Sequence, residues 1–75
     1  MDYGLSDREV KVLELTVSGK SDVEIAEACD VGVDTVRFDW LRIYAKTAAG
    51  TRGSALSTWY ANDTYRTNSK ELNLN

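Results

Sequence analysis

Histidine and proline are absent from this 75-residue chain, and cysteine occurs once. Without histidine the commonest general base near neutral pH is missing, and the single thiol, Cys29, lacks the usual partner of a nucleophile, so catalysis is not expected. One cysteine with no histidine builds neither a common zinc site nor an internal disulfide; no metal or cofactor is implied, and Cys29 reads as a small buried apolar residue. No apolar run approaches the roughly 20 residues of a membrane span. The opening Met1-Asp2-Tyr3-Gly4 has no basic region or apolar stretch of a signal peptide, so the expected compartment is the cytoplasm. Positive charge is also scarce. Nine Lys and Arg stand against twelve Asp and Glu, a net charge of -3, which taken as a total is the wrong sign for a nucleic-acid binder. The distribution of charge therefore has to decide.

What is present is the composition of an ordinary globular domain, 43% hydrophobic and 28% charged, and 75 residues leave room for one small core. Residues 1–61 read as the folded domain and 62–75 as a polar, mobile tail, because Asn62 to Asn75 holds little apolar content beyond Tyr65, Leu72 and Leu74. Ser6 and Glu9 form a capping box, and Gly19 supplies a left-handed stop, which places a first helix from about Asp7 to Ser18. Ser21 and Glu24 repeat the box at once, with Ile25, Ala26, Ala28 and Cys29 as the apolar face of a short second helix. Asp30-Val31-Gly32 breaks it, and a third helix should run to about Lys46. Within that helix Val36, Trp40, Ile43 and Thr47 fall four, three and four apart, one inward face, with Tyr44 beside them. Arg37, Phe38, Leu41, Arg42 and Ala45 lie on other faces, which leaves more apolar surface than solvent alone would suit. After the small-residue break Ala48-Ala49-Gly50-Thr51, residues Ser54 to Ala61 read as a fourth helix. The expected class is all-α, with four helices.

Two short helices joined by Asp30-Val31-Gly32 are a weak signal alone. The flanking text sharpens it: Leu5-Ser6-x-Arg8-Glu9, Val12-Leu13-x-Leu15, Gly19-Lys20-Ser21, Glu24-Ile25-Ala26, Thr35-Val36-Arg37, Ile43, Lys46, Arg52 and Ala55-Leu56. In this order and spacing, from about Leu5 to Trp59, the chain resembles the LuxR/GerE family. The resemblance implies a small four-helix helix-turn-helix domain, in which the third helix (about 33–46) enters the major groove of double-stranded DNA. It further implies a homodimer paired through the fourth helix, by Ala55, Leu56, Trp59 and Tyr60, and a bacterial or phage transcription regulator of the stand-alone GerE kind. The chain departs from the family pattern at Asp22-Val23, where Asn-Lys is common, and at Gly32, where a capping serine is usual. Asp39 stands for a frequent histidine, Thr47 for a leucine and Ala48-Ala49 for Gly-Val.

The expected DNA-contact set is Lys20, Ser21, Thr35, Arg37, Phe38, Leu41, Arg42 and Lys46. Arg37 follows Thr35-Val36, where family members carry a cation that reaches DNA. It either reads guanine, holds a phosphate, or is simply solvated. Phe38 and Leu41, one turn apart, either meet thymine methyls, pack inward, or meet a protein. Arg42 and Lys46 suit the phosphate backbone, with an ion pair to Asp39 as the alternative. Ser21 and Thr35 serve phosphates or merely cap their helices. Four acids and no base fall in the span from Ser21 through Asp30, a poor electrostatic footprint for DNA. The competing expectation is accordingly a protein-interaction module on the same scaffold, one that binds and diverts another transcription regulator. Contact with RNA polymerase is a third reading with no residue of its own behind it.

Overall fold

The structure, a computed structural model, describes residues 3–61; the tail expected at 62–75 lies outside the described residues. Helix α1 spans Asp7–Val17, α2 Asp22–Cys29 and α3 Val33–Thr47, and a fourth helix, α4, covers residues 52–61. Among the described residues there is no strand.

Each boundary has a local cause. Both serine capping boxes are complete: Ser6 accepts from the Glu9 N–H and Glu9 accepts from the Ser6 N–H, and Ser21 and Glu24 repeat the exchange. Such caps satisfy N–H groups that have no partner inside the helix. Past α1, Gly19 takes φ 89°, a conformation that costs a residue without a side chain little. Past α2, Asp30 takes φ 57° and lets the Val31 N–H reach the Ala26 carbonyl at 3.0 Å. The turn between α2 and α3 is therefore only residues 30–32. Gly32 caps α3 with no side-chain hydrogen bond, and α3 runs one residue past Lys46, to Thr47, before Ala48 closes it. Helix α4 starts two residues earlier than Ser54. The Thr51 hydroxyl accepts the Ser54 N–H at 3.1 Å, which draws Arg52 and Gly53 into the first turn.

The core joins all four helices: Val12 and Leu13 from α1, Ile25 and Ala26 from α2, Val36, Trp40 and Ile43 from α3, and Ala55 from α4. The expected inward face of α3 is buried throughout, Thr47 included. Thr47 is tolerated there because its hydroxyl donates to the Ile43 carbonyl at 2.7 Å, so its own buried donor is satisfied. Trp40 is the largest fully buried side chain. Its ring lies 5.8 Å from that of Tyr44, and the Arg52 guanidinium sits 4.7 Å above it. Arg52 also grips Asp22 through two hydrogen bonds of 2.9 and 2.7 Å. That one side chain ties α4 to both α2 and α3.

Candidate nucleic-acid interface

An α-helix advances about 100° per residue, so residues 34, 37, 38 and 41 of α3 share the side opposite its buried face. Phe38 and Leu41 are each 60% exposed. Together with Asp34 and Arg37 they line an open groove of about 360 Å³. The Arg37 guanidinium is only loosely held, 4.0 Å from Asp34, and its side chain is 70% exposed. This stripe offers one forked cation and two apolar side chains to whatever lies against it. Their exposure rules out packing of Phe38 and Leu41 against α1; packing against the tail lies outside the described residues.

The other expected contacts are placed less uniformly. Lys20 is exposed on the turn between α1 and α2. Ser21 is exposed but engaged in its cap, and Thr35 is half-buried. Arg42 donates to Asp39 at 3.2 Å, the intrahelical pair that stood as the alternative to a phosphate contact. Lys46 donates to Glu9 of α1 at 2.7 Å. Burial works to raise the Glu9 pKa, but the hydrogen bond from Lys46, the Ser6 backbone N–H and the Lys46 charge outweigh it and hold the carboxylate below its ordinary range. Hydrogen bonds from the Ser21 backbone and hydroxyl likewise lower Glu24.

Sequence reasoning did not find the partner of Asp39 across the fold. Asp39 is 1% exposed and accepts from Arg8 twice, Nε at 2.8 Å and Nη2 at 3.0 Å. This hydrogen-bonded pairing raises the Arg8 pKa above its ordinary value. Nothing local signals it, since 31 positions separate the two residues.

Of the expected dimer quartet, Ala55 is fully buried in the chain's own core, so it supports α4 from beneath instead of facing outward. Leu56 and Trp59 are half-buried and Tyr60 is exposed. Those three remain on the surface of α4, with the Trp59 and Tyr60 rings 6.4 Å apart.

A core of packed helices, the second and third joined by a three-residue turn and the third turning its free side outward, has the geometry of a helix-turn-helix domain. Residues 3–57 match the family model GerE, described as bacterial regulatory proteins, luxR family, and the chain belongs to that family. Comparison with curated proteins and with solved structures gives no match. No helix among the described residues is long and apolar enough to cross a membrane.

Proposed function

We propose that this domain is a sequence-specific transcription regulator that seats α3 in the major groove of duplex DNA and binds two-fold sites as a dimer. The observation that carries the proposal is the exposed stripe Arg37, Phe38 and Leu41, opposite the buried face of α3. A large apolar pair exposed to water needs a reason, and a groove helix supplies one: arginine pairs with guanine while apolar side chains meet thymine methyls. Lys20, Ser21 and Thr35, near helix starts, are suited to the flanking phosphates.

The test is selection from random duplexes, followed by affinity measurements on the enriched sequence. Arg37→Ala should abolish specific binding, a loss of at least about 1–3 kcal/mol per subunit, while leaving the melting curve near wild type because the side chain is exposed. A domain that enriches no duplex sequence would contradict the proposal.

A second reading is favoured by the charge arrangement. Arg8, Arg37, Arg42, Lys46 and Arg52 all lie within 4.0 Å of a carboxylate of the same chain, and α2 carries Asp22, Glu24 and Glu27 with no base. The same stripe then serves as a contact for another regulator. In that case Phe38→Ala abolishes a protein complex and Arg37→Ala leaves any DNA binding unchanged.

A further inference from the structure

We infer that Arg8 and Arg42 form a preset fork for a backbone phosphate of duplex DNA, with the buried Asp39 as the residue that positions both. The inference rests on the DNA reading above. It adds a contact from α1 and assigns a role to an acid that otherwise opposes DNA binding.

One arginine would suffice to neutralise a buried carboxylate, yet Asp39 holds two, by three hydrogen bonds of 2.8, 3.0 and 3.2 Å. The cluster therefore keeps one net positive charge. Both arginines remain reachable, with Arg8 43% and Arg42 57% exposed at the side chain. Only two of the five guanidinium donors of Arg8 are engaged with Asp39, and one of Arg42's, so donors suited to a phosphate fork are left over. Position agrees with this. Counting about 100° per residue, Arg42 lies beside the stripe of residues 34, 37, 38 and 41, on the flank where Asp39 meets α1. The flanks of a helix seated in the major groove face the phosphate walls, not the base edges. Arginines already ordered by Asp39 lose less freedom on meeting a phosphate than free ones.

Affinity is to be measured against salt for wild type, Arg8→Gln, Arg8→Lys, Arg42→Gln and Asp39→Asn, on the selected duplex and on an unrelated one, with a thermal melt confirming that each variant is folded. Arg8→Gln and Arg42→Gln should each weaken both duplexes by a similar factor and reduce the salt slope by about 0.9 per subunit. Arg8→Lys should keep the slope, since it keeps the charge, and still bind more weakly. Asp39→Asn removes a negative charge from the protein, so attraction by net charge alone would tighten binding, whereas loss of positioning weakens it. A folded Arg8→Gln with wild-type affinity and slope, or an Asp39→Asn that binds more tightly, overturns the fork while leaving the DNA reading intact. Wild type with no affinity for any duplex overturns both. If Asp39→Asn does not fold, the three arginine variants decide.

Discussion

Ala48 closes α3 at φ 55°, a left-handed conformation in which its Cβ crowds the next carbonyl oxygen at a cost of roughly 1–2 kcal/mol. The conformation is kept because it lets the Ala49 N–H join that of Ala48 at the Tyr44 carbonyl, which ends the helix with its carbonyl satisfied. Ala48→Gly should therefore raise stability by about 1 kcal/mol, seen as a melting temperature higher by roughly 4–8 °C. An unchanged or lower melt would mean that the extra freedom of glycine in the unfolded chain outweighs the relief. At this scale the legible residues were those whose partners lie three or four positions away. Ser6, Ser21 and Gly19 act through their own neighbourhoods, and the sequence placed them correctly. Asp39 shows the limit: its pairing with Arg42 three residues on was visible as an alternative, whereas its stronger pairing with Arg8 depends on how α1 crosses α3.

Glu9 couples two elements. It accepts the Ser6 N–H at 2.8 Å within the α1 cap and Lys46 of α3 at 2.7 Å. Its pKa in the fold lies below the ordinary 4.5, so the stability it contributes is fully present above about 4.5 and is lost as pH falls through the lower folded value. Glu9→Gln should cost about 2 kcal/mol near neutral pH. The gap between variant and wild type should narrow below pH 4.5, because protonation of Glu9 brings the wild type to the same deficit. Chemical denaturation across that range would show it; a constant gap would mean the charge of Glu9 is not what binds α1 to α3. The elements themselves were readable from their apolar spacing, and α3 most clearly, because its buried face repeats for three turns. The start of α4 was misplaced by two residues because Thr51 sits among small residues with no apolar period to mark it as a cap. The candidate interface was legible in the same way, as the residues left over from the inward face of α3, but whether Arg42 and Lys46 were free depended on acids of other elements.

For the whole molecule the proposed dimer turns on the open surface of α4. With Ala55 committed to the core, the proposed two-fold contact would rest on Leu56, Trp59 and Tyr60, and Leu56→Glu would set like charges against each other across the axis. The variant should sediment as a monomer. It should also lose on the order of 100-fold or more in affinity for a two-site duplex, since each subunit then binds alone. A Leu56→Glu protein that still sediments as a dimer would place the two-fold contact elsewhere. The role of Ala55 was not legible in the sequence, because a helix facing its own core and a helix facing a second copy carry the same apolar pattern, and only the packing places Ala55 in the core.

Arg52, gripping Asp22 and lying over Trp40, ties α4 to the helix-turn-helix at two points. If the proposed dimer joins through α4 and those ties hold, it would carry its two reading helices as one calliper. Its two half-sites would have to recur in phase with the DNA helix, about 10–10.5 base pairs apart or a multiple of that. A single inserted base pair, which a looser hinge would accommodate, would put one jaw out of step with its groove.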